Sequence, residues 1–338
     1  MNIKSIGHTP DEDLIFTQNN PWKKFYDEFI KNNFLVVTGN VKSNNFDYLV
    51  VNAHSPKSLK KAKNLKLDKS RLIMIYWEPS VTAPNLHSYK IRSQYGIVYT
   101  PSKLWTKKLA GEYFNWPQGK ISRKVESLKV WSQRQNRAFI IASNKFSAVK
   151  GQNYTLRRST NLLRDYDGQP MVDIYGTNWN RGFHYNLFQY LRQLNRTPLK
   201  NLDKKSWHNL ARIQKNYYGA PSNKQIVGSR YKINLVIENS AEYVSEKLFE
   251  AHRTQNIVVY VGADLKSEGI NPKIAIQCEG EISKLQKTLN ELACLSPNQQ
   301  YSLMCEQNKV AQKEAINRDG QVVLRDLAHS IISKINEK

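Results

Sequence analysis

A near-continuous apolar stretch from Ile233 to Ile237 is the feature that most constrains the fold of this chain. A strand with one face in water alternates apolar and polar residues, whereas a strand of a parallel sheet covered on both faces is apolar throughout. Polar residues follow the stretch, and then Val244, Leu248 and Ala251 recur at helical spacing as a buried face. Ser240 is the predicted N-cap of that helix. The segment therefore predicts a buried parallel strand followed by a helix, the repeating unit of an α/β fold.

Comparable apolar segments occur in both halves of the 338-residue chain. A single hydrophobic core rarely grows beyond about 250 residues, so a chain of this length is expected to form two domains. The polar region 115–135 separates two series of strand candidates, and helices are expected from residue 281 onward. We therefore predict an N-terminal α/β domain at 1–130 and a C-terminal α/β domain at 131–338 that includes the terminal helices. The predicted strands are 34–38, 48–52, 71–76, 96–100, 138–142, 171–175, 233–237, 257–261 and 274–276.

The chain is strongly basic. Lys and Arg number 51 against 28 acidic residues, which gives a formal net charge of +23. Such a charge attracts polyanions, namely nucleic acid, an anionic membrane surface or a phosphate-bearing substrate. No zinc-finger, helix-turn-helix or RRM motif accompanies the charge, so no specific nucleic acid is expected as a partner. An enzyme that handles a phosphate-bearing substrate at an anionic membrane accounts for the same charge.

Composition also indicates a compartment. No apolar run approaches the roughly 20 residues that span a bilayer, and the polar segment 1–19 has no signal-peptide pattern. The three cysteines, Cys278, Cys294 and Cys305, lack metal-ligand spacing and suit a reducing compartment. We therefore expect a cytoplasmic protein, in peripheral contact with the inner face of an anionic membrane.

Two neighbouring segments carry a family resemblance. They are IENSAEYVSEKL at 237–248 and IVVYVG at 257–262. Together they resemble the signature of the family 10 glycosyltransferases, the α-1,3/1,4-fucosyltransferases, whose pattern is Phe-Glu-Asn-Ser, a few residues, Asp-Tyr-Val-Thr-Glu-Lys-Leu, a helix, an apolar strand and a Gly. This chain has Ile for Phe, Glu for Asp, Ser for Thr, and no Pro in the second strand. The resemblance implies the GT-B architecture, two Rossmann-like domains facing across a cleft, with the nucleotide sugar bound by the C-terminal domain.

The resemblance also implies a set of donor-binding residues. Within the signature, Lys247 would neutralise a phosphate of GDP-fucose and Glu246 would bond sugar hydroxyls. Upstream, the segment from Ser143 to Arg158 resembles the family's Ser-Asn block that leads to a pyrophosphate-binding Arg, and either Arg157 or Arg158 could fill that role. The full predicted donor set is Asn144, Lys145, Arg157, Arg158, Glu238, Asn239, Tyr243, Glu246 and Lys247, with Lys224, Lys232 and Gly176 as additional candidates.

Glu78 is the candidate catalytic base. The segment YWEPSVTAPN at 76–85 resembles the family's Gly-Glu-Asn block, in which the Glu deprotonates the acceptor hydroxyl. An inverting glycosyl transfer needs such a carboxylate. The alternative is a Glu that only begins a turn before Pro79.

The predicted function is therefore that of an inverting α-1,3-fucosyltransferase that moves fucose from GDP-fucose to a glycan hydroxyl. No Asp-x-Asp metal motif occurs, so we expect no metal and no other cofactor, with cationic side chains in place of a divalent ion. Two alternatives remain open. One is a transferase of the same fold that uses another nucleotide sugar, and the other is a non-catalytic protein that binds polyanions or nucleic acid.

Overall fold

The computed structural model describes residues 4–9, 22–37, 47–52, 60, 62–64, 66–83, 86–122, 124–147, 149–180, 187–188, 191 and 216–337. The chain divides into two compact units. The first unit comprises Met1–Gln118 and Asn317–Lys338, and the second unit comprises Gly119–Ile316. Each unit contains one parallel β-sheet with helices, so the predicted α/β class is confirmed.

The first unit is built on six parallel strands in the order β2-β1-β3-β4-β5-β6. Strands β3, β4 and β5 are apolar and buried almost throughout, as expected for a sheet covered on both faces. The strands are β1 Ser5–Thr9, β2 Leu35–Val37, β3 Tyr48–Asn52, β4 Leu72–Ile75, β5 Ile97–Thr100 and β6 Glu112–Tyr113. The helices are α1 Trp22–Lys31, α2 Tyr89–Arg92, α3 Lys103–Leu109 and, from the C-terminal segment, α10 Gly320–Asn336, with a 3-10 turn at Lys69–Arg71.

The second unit is built on five parallel strands in the order β11-β10-β9-β7-β8. The chain moves from β7 outward to β8 and then returns to place β9 on the other side of β7. The strands are β7 Gln135–Ile141, β8 Val172–Tyr175, β9 Tyr231–Ile237, β10 Ile257–Val261 and β11 Ile276–Gln277. The helices are α4 Leu128–Ser132, α5 Tyr154–Ser159, α6 Lys224–Gly228, α7 Glu246–His252, α8 Ile282–Cys294 and α9 Pro297–Ile316, with 3-10 turns at Thr160–Leu162 and Pro272–Ile274.

The division into units differs from the predicted domain boundary at 130/131. The structure divides the chain at 118/119 and includes the last 22 residues, 317–338, in the first unit. Helix α10 packs against α1, and its apolar face, including Leu327 and Ile331, joins Phe25 and Phe29 in one buried cluster. The amphipathic pattern of α10 identifies its buried face, but the pattern does not identify the sheet that this face covers.

Eight of the nine predicted strands lie within three residues of their expected bounds, and there are three departures. Strand β6, Glu112–Tyr113, was not predicted. Strand β1, Ser5–Thr9, lies in a segment for which no strand was predicted. The predicted strand at 274–276 is instead the end of a 3-10 turn, Pro272–Ile274, followed by the two-residue strand β11. Among the described residues, no helix is long and apolar enough to cross a membrane.

Candidate functional site

A cavity of about 690 Å³ lies in the second unit beside β7 and β9. Its lining runs along both strands and includes the residues that follow the carboxyl ends of β7 and β8, as well as the first two residues of α7. The strand order reverses between β7 and β9, and open α/β sheets bind ligands at the carboxyl ends of strands where the order reverses. Four of the predicted site residues line the cavity: Gly176, Lys224, Glu246 and Lys247.

Glu238 is held by the residues that begin helix α7. Its side chain is fully buried and accepts the Ser245 backbone N–H at 2.8 Å and the Ser245 hydroxyl at 2.8 and 2.9 Å from its two oxygens. The Lys247 ammonium donates to the same carboxylate at 2.8 Å. Ser245, not the predicted Ser240, is the N-cap of α7, and its hydroxyl accepts the Lys247 N–H. Glu238 therefore contacts protein groups and fixes the position of Lys247.

Lys247 lies at the boundary between this buried network and the cavity. Its side chain is 28% exposed, and it lines the cavity while bonding Glu238 and, at 3.1 Å, the Ser245 hydroxyl. An ammonium group has three protons, so one donor remains beyond these two bonds for a group in the cavity. Glu246 also lines the cavity, and burial raises the pKa of its carboxyl. The cavity rim therefore combines a cationic donor with a carboxyl group.

Arg157 and Arg158 are both buried but take different positions. Arg157 donates to the Ile237 carbonyl at 2.6 Å and to Asn239 Oδ1 at 3.1 Å, at the carboxyl end of β9. Burial lowers the pKa of its guanidinium. Arg158 donates to Asn144 Oδ1 at 2.9 Å and to the Lys145 carbonyl at 3.1 Å, so it holds the loop after β7.

Burial, with a smaller contribution from the neighbouring Arg157, lowers the pKa of Arg158 to about 10. Neither guanidinium lines the cavity. Arg157 therefore lies beside the Glu238–Asn239 segment, and Arg158 holds the 144–146 loop in place.

Six other predicted residues lie outside the cavity lining, namely Asn144, Lys145, Lys232, Glu238, Asn239 and Tyr243. Lys232 is near the amino end of β9, where its ammonium donates to Gln300 Oε1 at 3.1 Å and lies 5.4 Å from the centre of the Trp131 ring. Lys232 thus lies near the amino ends of the strands, whereas the predicted donor residues lie near their carboxyl ends, because a strand rises about 3.3 Å per residue. Tyr243 is buried, and the Lys145 side chain is exposed.

Two further candidates have clear local roles. Lys224 forms an ion pair with Glu250 at 2.9 Å on the cavity lining. Gly176 has a φ of 131°, and a Cβ at this position would lie 1.9 Å from the Ala142 carbonyl oxygen. Glycine is therefore required here, where the chain leaves β8 and approaches the end of β7.

Several residues of this site are not among the predicted site residues. Ser245 was not singled out, although a Ser before Glu-Lys at the start of a helix is a capping signal. Ser143 and Thr177 line the cavity and follow the carboxyl ends of β7 and β8, where polar strand ends are expected to form a binding site, although neither was among the predicted donor residues. Asn223 and Arg253 also line the cavity; Asn223 adjoins the predicted Lys224, whereas the sequence pattern does not point to Arg253.

Glu78 belongs to the first unit. It follows β4, its side chain is exposed, and its backbone carbonyl lies 2.8 Å from His87 Nε2. The preceding Trp77 donates its indole N–H to Asn52 and packs edge-on against Phe114 and Trp116, with ring centres 5.0 and 5.4 Å away. The structure thus places Glu78 at the carboxyl end of a central strand, beside an aromatic cluster.

No group of three or more His, Cys, Asp or Glu side chains within the described part of the chain is arranged to hold a metal ion.

Comparison with known proteins yields matches of structure alone. No protein-family profile matches the chain, and no curated protein sequence matches it. Similar solved structures include HepE from Anabaena in complex with UDP-glucose, with a TM-score of 0.53 and 10% identity over 98% of this chain and 100% of that one. An α1,3-fucosyltransferase has a TM-score of 0.52 and 13% identity over 90% of this chain and 82% of that one.

A trehalose-6-phosphate synthase, studied for glycosyl transfer with retention, has a TM-score of 0.50 and 10% identity over 86% of this chain and 74% of that one. Identities this low establish the fold without establishing the activity. The two parallel sheets and these likenesses together show that the chain has the two-domain α/β fold of the GT-B glycosyltransferases.

Proposed function

We propose that this protein is a glycosyltransferase that transfers a sugar from a nucleoside-diphosphate donor to a glycan hydroxyl. The observation that carries the proposal is the position of Lys247, which borders the 690 Å³ cavity beside β7 and β9 and is oriented by the buried Glu238. A cation held in place there can stabilise a diphosphate, because negative charge builds up on the diphosphate as it departs. In this proposal the second unit binds the donor and the first unit binds the acceptor.

GDP-fucose is the proposed donor, with inversion at the anomeric carbon. The support is the segment 237–248, which resembles the fucosyltransferase signature and spans the end of β9 and the start of α7. Lys247 and Arg157 or Arg158 stabilise the departing diphosphate, while Glu246 and Asn239 contribute hydrogen bonds to the donor. Glu78 accepts the proton of the attacking hydroxyl. The reaction proceeds without a metal ion, since cationic side chains neutralise the diphosphate.

A second candidate is a transferase that uses a different nucleotide sugar. The fold likeness to HepE, whose structure holds UDP-glucose, favours testing this alternative directly. The likeness to a trehalose-6-phosphate synthase studied for retention likewise makes the stereochemical outcome a property to be measured.

The donor is tested by incubating the protein with GDP-fucose, GDP-mannose, UDP-glucose and UDP-N-acetylglucosamine while measuring the nucleoside diphosphate released. Release of GDP from GDP-fucose alone supports the proposed donor. Release of UDP supports the second candidate. Binding of random-sequence DNA with a steep salt dependence, in a protein that releases no nucleoside diphosphate, would support a non-catalytic polyanion-binding protein instead.

The base is tested with Glu78→Gln, which keeps the shape of the side chain but accepts no proton. Turnover is expected to fall about 10²–10⁴-fold, the usual contribution of general-base catalysis, with unchanged donor affinity. Glu112→Gln is the matched control, because Glu112 is another exposed glutamate of the first unit, 3.4 Å from Lys334. Near wild-type transfer by Glu78→Gln would assign the base to another group.

A further inference from the structure

An acid-free segment of the first unit forms a distinct surface. Residues 79–111 contain five cationic side chains and no Asp or Glu. Helices α2 and α3 both lie in this segment, one before and one after strand β5. A chain of 338 residues with 28 acids would be expected to place two or three of them in a segment of this length. Within the segment no acid offsets the five cations, while Glu78 and Glu112 directly flank it.

The two helices are joined by direct contacts, so their exposed residues belong to one surface. Arg92 of α2 donates to the Ala110 carbonyl at 3.0 Å and to the Leu109 carbonyl at the end of α3. His87, just before α2, packs against Trp105 of α3 with ring centres 4.7 Å apart. Trp105 and Leu109 face the interior, one turn apart. The opposite face of α3 is therefore turned to solvent beside α2.

Exposed apolar side chains accompany the cations on this surface. Tyr89 is 85% exposed and Leu104 is 48% exposed. Lysines adjoin them in sequence and on the same helices. We name this the basic–apolar surface and define it by its exposed residues: Tyr89, Lys90, Lys103, Leu104, Lys107 and Lys108.

We propose that the basic–apolar surface docks the protein on a bilayer containing anionic lipids. Lysine ammonium groups are attracted to lipid phosphates, while their stems and neighbouring apolar groups enter the headgroup region. Tyrosine suits that region because its ring is apolar and its hydroxyl remains hydrated. Exposed Leu104 distinguishes a lipid surface from nucleic acid, since a leucine side chain gains nothing from a phosphate backbone but gains from burial between lipids. This inference is independent of the sugar donor.

The test is co-sedimentation of the full chain with vesicles of phosphatidylcholine, with and without phosphatidylglycerol. Wild-type protein is expected to sediment with the anionic vesicles and not with phosphatidylcholine alone. Lys107→Glu with Lys108→Glu should weaken the partition coefficient at least tenfold, since each basic side chain contributes roughly fivefold near an anionic surface. Tyr89→Ser with Leu104→Ser should remove the binding that persists in high salt, because salt screens charge and not apolar insertion.

The matched control is Lys284→Glu with Lys287→Glu, which makes the same change in net charge on helix α8 of the second unit. Both control lysines are exposed and lie within 4.0 Å of glutamates. The control should bind vesicles like the wild type. Equal losses of vesicle binding in the two charge variants would show that net charge alone drives binding and would overturn the proposal.

Loss of DNA binding by Lys107→Glu with Lys108→Glu, without loss of vesicle binding, would assign the surface to nucleic acid and also overturn the proposal. Thermal melting of each variant establishes that it is folded. If the charge-reversal variant does not fold, Lys107→Gln with Lys108→Gln replaces it, with a proportionately smaller expected loss.

Discussion

Replacing Lys247 by Met separates the structural role of this residue from its proposed role in donor binding. Methionine keeps the apolar stem and removes the ammonium, which leaves the buried Glu238 carboxylate with Ser245 as its remaining hydrogen-bond donor. Removing one partner of a fully buried ion pair costs about 3–5 kcal/mol. Because Lys247 is 28% exposed and Ser245 still donates two groups, we expect the free energy of unfolding to fall by about 2–4 kcal/mol.

The double variant Glu238→Gln with Lys247→Met also removes the negative charge that the single variant leaves buried without a cation. The glutamine carbonyl can accept the Ser245 N–H, and its amide can donate to the Ser245 hydroxyl. We expect the double variant to regain at least half of the lost stability, which corresponds to a coupling energy of about 1–3 kcal/mol for residues in contact. Urea unfolding followed by circular dichroism measures these differences.

Donor affinity should not follow stability. Calorimetry with GDP is expected to give a loss of about 1.5–3 kcal/mol for Lys247→Met, the scale of a hydrogen bond to a charged group. The double variant should show the same loss despite its recovered stability. Recovery of GDP affinity in the double variant would mean that Lys247 only supports the fold, and unchanged affinity in the single variant would remove Lys247 from the donor site.

Three further outcomes follow from the same structure. Gly176→Ala should lower the free energy of unfolding by about 3 kcal/mol or more, because backbone strain adds to a clash with Ala142. Gly168→Ala, at a φ of 76° with open space around it, should cost only about 1–2 kcal/mol. Equal losses of the two variants in urea unfolding would contradict this difference. Ser245→Ala should cost about 2–4 kcal/mol in the same assay, because it removes both the N-cap and the hydroxyl that donates to the buried Glu238 carboxylate. A neutral result would contradict both roles. Nucleoside diphosphate release should persist in excess EDTA, and loss of turnover that manganese or magnesium restores would show that the diphosphate is neutralised by a metal.

The strands of both sheets were largely predictable because each central strand is an apolar run long enough to be distinguished from its surroundings. Strand β1, Ser5–Thr9, escaped prediction because its alternation of small, apolar and polar residues carries no such run. The position of α10 escaped prediction for a different reason. Its apolar face is evident locally, but its partner α1 lies about 300 residues earlier in the chain, and such pairings are decided by tertiary packing.

The candidate site was predictable at the level of segments more than at the level of contacts. Ligands of open α/β sheets bind at the carboxyl ends of strands, and this rule located the polar residues after β7, β8 and β9. Nearness in sequence also suggested Lys232, but this residue lies at the amino end of β9. Ser240 and Ser245 have equal intrinsic capping ability. Glu238 decides between them, because its buried carboxylate binds the Ser245 N–H and hydroxyl and so begins the helix there.

The choice between Arg157 and Arg158, open from sequence, is narrowed by their neighbours. Glu238 is already bonded to Lys247 at 2.8 Å, and within the described residues no carboxylate forms an ion pair with Arg157. Its guanidinium is 3% exposed, donates to a carbonyl and an amide oxygen, and lies over the Tyr154 ring, 5.2 Å from the ring centre. Arg158, by contrast, holds the 144–146 loop through Asn144 and a carbonyl, which is a structural use of the same side chain. Arg157 is therefore the better candidate for the phosphate-binding cation, because it hydrogen-bonds the Ile237–Asn239 segment, which also carries the Glu238 that orients Lys247.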